Sequence, residues 1–283
     1  MIYLLFCILI SVAILTLFRS FHTFGIDRNN SIIISYFVAF ALSFLTRDKS
    51  LPVNELPQHQ WFYIGLITGV FFYIGFQIFA LSTKKIGLAI TSVSGNMSVV
   101  VPVVIAMAFY GEDITVSKIG GILLILFSFY FIFKKEKHIE FEMHFIYLPV
   151  LLFVVTGINA ALLGYSDKTG ASEHNLFFMA LIFLSSFIFG FFSNLLNKNR
   201  KTPDIKALLA GILLGVLNYG STMMILKSLT VVPDSIFFPV YNSGYIALSA
   251  ILGFIVFKEK LRAINWAGIT IAMIAIIIIT SGI

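Results

Sequence analysis

GLAITSVSGNMSVVVPVVIAMAFYGEDITVSKIGGILLILFSFYFIF, residues Gly87 to Phe133, decides the fold. It is apolar nearly throughout and is broken once, at Tyr110-Gly111-Glu112-Asp113. Each side is long enough to cross a bilayer core of roughly 30 Å at about 1.5 Å per residue. The stretch therefore reads as two membrane helices joined by a short acidic turn. Its first half holds Thr91, Ser92, Ser94, Gly95, Asn96 and Ser98, with Pro102 beyond them. Polar atoms at that depth are costly without partners, so this helix reads as the wall of a substrate path.

The rest of the chain is built the same way. Of its 283 residues 59% are hydrophobic and 11% charged, whereas soluble domains carry roughly 25% charge; a water-soluble globule is excluded. Ten apolar segments follow one another: Ile2–Phe18, Ser31–Leu45, Trp61–Leu81, Ile86–Tyr110, Lys118–Phe133, His144–Tyr165, Asn175–Leu196, Ile205–Leu226, Ser235–Phe257 and Ile264–Gly282. The breaks between them carry Gly, Pro, Asn and Asp, the residues of turns. Only helices and closed barrels satisfy the backbone in lipid, and barrel strands would alternate where these runs do not. The expected class is all-α integral membrane. The first segment reads as a membrane helix and not a signal peptide, since it lacks a basic leading region and Arg19-Ser20-Phe21-His22 follows it in place of a cleavage site.

Composition removes several function classes. The net charge of +6 lies in loops between apolar runs, which is the signature of membrane orientation, so no nucleic-acid partner is expected. Cys7 is the single cysteine, and the five histidines fall in or beside polar loops; neither a disulfide framework nor a metal site is expected, and no cofactor.

The two halves of the chain resemble each other. Gly65, Gly69 and Tyr73 recur as Gly211, Gly215 and Tyr219 at a shift of 146 residues, and Tyr110-Gly111-Glu112-Asp113-Ile114 recurs as Phe257-Lys258-Glu259-Lys260-Leu261 at 147. Gly25 and Asn30 recur as Gly170 and Asn175 at 145. The charged stretch Lys134 to Glu142 lies between, giving units 1–138 and 139–283. Five helices per unit is odd, so the second unit enters the membrane upside down. Ten transmembrane helices as two inverted five-helix repeats is the build of many secondary transporters, with the substrate between the repeats near the midplane.

The turn Gly111-Glu112-Asp113-Ile114-Thr115 and its twin Lys258-Glu259-Lys260-Leu261 resemble the recurring Gly-Glu-x-Leu element of the ten-helix drug/metabolite transporter superfamily, in its EamA-like bacterial members. Ala80-Leu81-Ser82-Thr83 and Leu226-Lys227-Ser228 resemble that family's repeat junctions, and the resemblance covers essentially the whole chain. It implies a central cavity lined by both repeats, export or exchange of small metabolites, a bacterial inner-membrane location and termini in the cytoplasm. The charge pattern points the other way. Of the 19 Lys and Arg, all but Arg47, Lys49, Lys118, Lys168 and Lys227 fall on one side of the predicted helices; the positive-inside rule puts that side in the cytoplasm and both termini outside. The chain also departs from the small four-helix multidrug members of the superfamily, because Ile2–Phe18 contains no acid and no segment has one near its centre. That absence argues against their carboxylate-based drug/proton exchange.

Candidate substrate-binding residues are the polar and aromatic groups at mid-membrane depth: Tyr73, Gln77, Ser94, Asn96, Asn159, Asn218, Tyr219, Tyr241 and Asn242. A carboxamide offers donors and an acceptor at one end, which suits a neutral or zwitterionic solute; an anion site would want mid-membrane Lys or Arg. Pro102 and Pro239 are candidates for kinks that free carbonyls beside the cavity. Glu112 and Glu259 are expected at the membrane edge, either capping the helix that follows each or forming a gating ion pair. The function this supports is a secondary transporter of an amino-acid-like metabolite, with the lipid bilayer and a small molecule as partners; a homodimer stays open alongside a monomer. The competing class is an integral-membrane enzyme acting on lipid. Its acids and bases are too scattered here for metal or phosphate chemistry at one interface.

Overall fold

The computed structural model describes residues 2–47, 52–109, 115–133, 145–198, 200–229 and 234–281. The acidic turn at 110–114, with Glu112, and the charged linker at 134–144 lie outside the described residues. The described chain is helical and contains no strand. In order it forms α1 (Ile2–Thr23), α2 (Arg28–Thr46), a 3₁₀ turn (Val53–Gln58), α3 (Gln60–Lys85), α4 (Leu88–Met97), α5 (Val100–Phe109), α6 (Val116–Phe133), α7 (Tyr147–Lys168), a second 3₁₀ turn (Ala171–His174), α8 (Asn175–Leu196), α9 (Ile205–Leu229), α10 (Asp234–Ile255) and α11 (Ala263–Ser281). Among the described residues, seven helical spans are long and apolar enough to cross a membrane, counting Leu88–Ile105 through its break, and three shorter apolar stretches accompany them: Val116–Ser128, Val240–Ile255 and Ala263–Ile278.

Burial explains why these helices belong in lipid. On α1, Leu4, Cys7, Ile8, Ser11, Leu15 and Phe18 are buried at helical spacing, while Leu5, Phe6 and Leu9 face outward. The same holds on α9, where Leu208, Leu209, Ile212, Leu213 and Val216 are exposed. A helix apolar on both faces would leave patches no soluble monomer tolerates; a hydrocarbon surround removes the penalty. This is a membrane-embedded helical bundle.

Local chemistry sets the helix ends. The Asp27 carboxylate accepts the Asn30 amide at 2.8 Å and starts α2. Gly87, at φ +109 and ψ 169, turns the chain between α3 and α4 in a conformation that side chains resist. The apolar run Ile86–Tyr110, expected as one helix, is divided at Ser98 and Val99 into α4 and α5. Pro102 has no N–H to give the Ser98 carbonyl. Val101 N donates to that carbonyl instead, at 2.9 Å, and Val99 N to Asn96 O at 3.3 Å, so the chain tightens for one turn before resuming.

Glycine pairs fix two crossings. On α3, a Cβ at Gly65 would lie 2.8 Å from Leu181 Cδ2 and one at Gly69 would lie 2.5 Å from the Ile182 carbonyl oxygen, so α3 lies flush on α8. On α9, a Cβ at Gly211 would meet Ile34 Cβ at 2.7 Å and one at Gly215 would meet the Ser35 carbonyl oxygen at 2.7 Å, so α9 lies flush on α2. Hydroxyls fasten the same seams: Ser185 donates to Leu66 O at 2.6 Å, Ser186 to Gly69 O at 2.7 Å and Ser31 to Ala207 O at 3.2 Å. Without a hydrophobic drive between helices in lipid, close backbone approach and such bonds are what holds them together. The other principal pairings are α1 with α9, α3 with α7, α1 with α10, α4 and α5 with α7, α2 with α8, α4 with α10, α10 with α11 and α6 with α11.

Candidate functional site

A cavity of about 260 Å³ lies at the middle of the bundle. Ser11, Ile14 and Phe18 line it from α1, Phe76 and Phe79 from α3, and Gly95 and Asn96 from α4. Thr156 on α7, Asn218 and Ser221 on α9, and Tyr241 and Tyr245 on α10 complete it. Both halves of the sequence supply its walls, and none of these residues is ionisable at neutral pH.

The polar groups are arranged with capacity to spare. Ser11 Oγ bridges Ser221 Oγ at 3.1 Å and the Tyr241 hydroxyl at 2.9 Å, joining α1, α9 and α10 through one hydroxyl chain. Asn96 Nδ2 donates to Ser92 O at 2.8 Å, which holds the carboxamide and leaves its Oδ1 free to accept. Asn218 is 8% exposed and its Nδ2 has no hydrogen-bond partner. A buried amide donor left unpaired costs about 1–3 kcal/mol, and a ligand acceptor would relieve that cost. The break between α4 and α5 begins two residues beyond Asn96, and the Gly95 carbonyl beside the cavity accepts from Ser98 Oγ at 2.5 Å. The wall is aromatic on the α1 and α3 side, where the Phe18 ring lies edge-on to Phe76 at 5.2 Å and near Phe79 at 6.1 Å between centroids.

Asn96, Asn218 and Tyr241 are thus brought together out of the nine candidates, and the other six stand elsewhere. Tyr73 and Gln77 point into a different polar cluster: both donate to Asn29 Oδ1, at 2.8 and 2.6 Å, and Asn29 Nδ2 reaches Asn194 Oδ1 at 2.7 Å. Asn194 in turn bonds Asn30 at 3.2 Å, and Asn30 Nδ2 bonds the Lys201 carbonyl at 3.0 Å, tying α2, α3, α8 and the loop that precedes α9. Tyr219 bonds Thr46 Oγ1 at 3.0 Å at the far end of α2. Asn159 lies against Gly75 of α3 with its Oδ1 unpartnered, and Ser94 is fully buried with an unpartnered Oγ. Asn242 follows Tyr241 on α10 and does not line the cavity. Pro102 marks the helix break; Pro239 falls on α10, and its side chain lies outside the described residues, as does Glu112.

Ser11, Phe18, Phe76 and Phe79 carry much of the wall and were not singled out in the sequence. Ser11 left a faint signal, being one of three hydroxyl residues in Ile2–Phe18, with Tyr3 and Thr16. The phenylalanines left none, because 31 are spread over the chain.

Glu259 does not cap the helix that follows it. The start of α11 is served by Asn265, whose Oδ1 accepts the Arg262 amide at 3.1 Å. The Glu259 carboxylate instead crosses to the first turn of α4, accepting Leu88 N at 2.5 Å on one oxygen and Ala89 N at 3.2 Å on the other. Burial pushes this carboxyl above its ordinary value, and the two amides and the Arg19 guanidinium oppose the rise without cancelling it. Around it opens a cavity of about 310 Å³ edged by Arg19, Lys84, Lys85, Lys258 and Lys260.

No protein-family model matches the chain. An uncharacterized protein of Haemophilus influenzae is 26% identical over 282 residues, covering 96% of this chain and 95% of that one. A solved crystal structure superposes with a TM-score of 0.60 at 13% identity, across 97% of this chain and 98% of its own. At that identity the likeness speaks for the fold alone. It extends from end to end, so the helical bundle is one architecture shared by a solved protein along its full length.

Proposed function

We propose that the chain is a secondary transporter of the bacterial inner membrane, moving a small neutral or zwitterionic metabolite by alternating access, with ten crossings arranged as two inverted five-helix repeats. Taking the α4–α5 pair as one broken crossing, the seven long spans and three shorter apolar ones make ten. The helix pairings support the repeat. Exchanging the first five crossings for the second five turns α2–α9 into α8–α3, α1–α9 into α7–α3, and α1–α10 into α7 with α4 and α5; α2–α8, α4–α10 and α6–α11 map onto themselves. The doubled Gly-Glu-x-Leu-like turn, the resemblance to the drug/metabolite transporter superfamily and the glycine crossings of α3 on α8 and α9 on α2 agree with that exchange.

The observation that carries the reading is the mid-bundle cavity walled by both halves, uncharged, with the Asn218 donor unspent and the Asn96 acceptor free. A zwitterion presents the complementary pair: its carboxylate accepts from Asn218 and the hydroxyl chain, and its ammonium donates to Asn96 Oδ1 near the helix break. The packing also departs from symmetry in a way alternating access requires. α1 packs on α3, but α7 and α9 make no comparable contact among the described residues, so one side is drawn in while its counterpart stands apart.

The test is flux in proteoliposomes with zwitterionic amino acids, a polyol and a dianionic sugar phosphate as probes. Saturable, protein-dependent movement of a zwitterion or polyol is expected, falling about tenfold in Asn218→Ala, the effect of losing one buried polar contact. Movement of the dianion with none of the others, or lipid turnover with no solute flux, overturns the proposal.

A further inference from the structure

The basic end of the molecule holds two acids among the described residues that edge its cavities, Asp27 and Glu259. Arg19, Arg28, Lys84, Lys85, Lys258 and Lys260 gather there around adjoining cavities of about 310, 740 and 360 Å³. Asp27 is spent on the cap of its own helix α2, whereas Glu259 reaches across to α4, and the fold is shaped to hold it. A Cβ on Gly87 would lie 2.8 Å from its Oε1, and one on Gly253 would lie 2.6 Å from its Oε2, so both flanking positions lack a side chain where the carboxylate sits. Lys258, at φ +52, is the non-glycine residue with a positive φ among the described residues. That uncommon conformation turns the chain so that Glu259 N bonds the Gly253 carbonyl at 2.9 Å and the side chain aims at α4. On the receiving side, Gly87 at φ +109 presents the Leu88 and Ala89 amides at the positive end of a helix, where a carboxylate is favoured. Arg19 secures the same corner from α1, donating to the Thr83 carbonyl and to that of Lys84 at 2.8 Å.

We infer that Glu259 is the latch of a gate at this end of the transport path, pinning the start of α4 to the α10–α11 turn and so closing the central cavity toward the basic face. This rests on the transport reading above. The bond joins the two halves of the sequence, as a gate in an inverted-repeat transporter must. Its receiving residue, Leu88, is fully buried in the cluster of Leu4, Cys7, Ile8, Val12, Leu15 and Tyr245 that includes a wall of the cavity. Phe79, which lines the cavity with Phe18 and Phe76, also packs against the cluster that holds Leu88. Releasing the carboxylate frees the first turn of α4, and with it Leu88, from the layer that covers the site.

The chain carries its own reporter. Cys7 is the single cysteine, has no accessible surface and belongs to the same cluster as Leu88. The experiment measures the rate at which N-ethylmaleimide modifies Cys7 in protein held in lipid nanodiscs, without any substrate. Two variants remove the latch in different ways: Glu259→Ala deletes the carboxylate, and Gly253→Ala leaves it but places a methyl group in its seat. Both are expected to speed modification about tenfold or more, the scale set by losing a charge-assisted pair of bonds. Glu259→Gln, which keeps an acceptor for Leu88 but turns an N–H donor toward the Ala89 amide, is expected to fall between them and the native chain. Lys84→Ala, a rim cation with an exposed side chain, is expected to leave the rate within about twofold, as for a surface change. Unchanged Cys7 modification in folded Glu259→Ala and Gly253→Ala overturns the latch. Should either fail to fold, Glu259→Gln decides: a rate equal to that of the native chain overturns it as well. Because the readout is thiol access, the latch stands or falls separately from solute flux, which tests the transport reading.

Discussion

At the scale of single residues, Glu259 holds a partly buried carboxylate whose surroundings depart from water. Desolvation lifts its carboxyl above the ordinary glutamate range, against the pull of the Leu88 and Ala89 amides and of Arg19. A group whose folded-state pKa is raised binds its proton more tightly folded than unfolded. Its contribution to stability is therefore complete in acid, below the unfolded value, and is lost as pH rises through the folded value. Glu259→Gln cannot titrate and should lack this dependence. The prediction is that the native chain's thermal midpoint, taken relative to Glu259→Gln, is highest in acid and declines once pH passes the ordinary glutamate range, levelling above the raised value. A difference that instead grows with pH would mean the amides and Arg19 outweigh burial. The sequence exposes Glu259 as one of a doubled pair and leaves it between a cap on the helix that follows and a gating ion pair; chain order favours the neighbouring N-terminus, whereas the amide its carboxylate meets is 171 residues away. For the same reason Asn96, Asn218 and Tyr241 were legible as mid-membrane polar groups, while nothing in the sequence separated them from Tyr73 and Gln77. Depth can be read from position along an apolar run, but which way a side chain faces depends on the packing of other helices.

Among the elements, the division of α4 from α5 has a direct test. Pro102 withholds the amide that would continue the helix from Ser98, and a proline in a helix interior costs about 3 kcal/mol or more. Pro102→Ala should let the two helices run on as one. The expected result is a higher thermal midpoint, with about 1–3 kcal/mol of added stability if part of the cost is recovered, together with slower solute flux, since the break lies beside Gly95 and Asn96. A lower midpoint with unchanged flux would assign the proline ring a packing role and separate the break from transport. Pro102 is visible in the sequence as a kink, yet the run Ile86–Tyr110 reads there as one helix. A proline tells where an amide is missing; whether the chain bends or breaks there depends on neighbours such as Ser98 Oγ, which takes the Gly95 carbonyl and stabilises the tightened turn. The glycine crossings were more legible. Gly65 and Gly69, like Gly211 and Gly215, show small residues four apart on one face, although only the fold tells that their partners are α8 and α2. Gly69→Val should destabilise the α3–α8 crossing, because the added side chain meets the Ile182 carbonyl and Ser185 with nowhere to move. A clear fall in thermal midpoint is expected in nanodiscs, and an unchanged one would mean the crossing is looser than its geometry.

For the whole molecule, apolar run length and composition were enough to read a helical membrane bundle, because hydrocarbon admits so few backbone solutions. Orientation was not settled by the sequence: the charge pattern and the family resemblance pointed opposite ways, and the pattern depended on guessed helix ends. The structure removes that guess for several key cations. Arg19, Lys84, Lys85, Lys258 and Lys260 edge one cavity, Arg28 shares another with Lys84, and Lys206 Nζ reaches the Phe24 carbonyl at 3.5 Å. Asn30 bonds the Lys201 carbonyl at the same end. Arg47 stands apart, its guanidinium over the rings of Phe44 at 3.4 Å and Phe177 at 5.3 Å. Because Arg19 lies near the end of α1 and Lys260 just before the start of α11, Ile2 and Ser281 both belong to the opposite end. The positive-inside rule counts cations in short loops close to helix ends, and these meet that condition. The prediction is that the basic end faces the cytoplasm and both helical termini face outward, against the orientation the family resemblance implies. In a Cys7→Ser background, Lys260→Cys should react with a membrane-impermeant maleimide only after the cells are permeabilised, while Ser281→Cys should react in intact cells. The reverse pattern would place the latch on the outer face, so that the gate it closes would be the external one and the half-cycle it governs would be exchange with the medium.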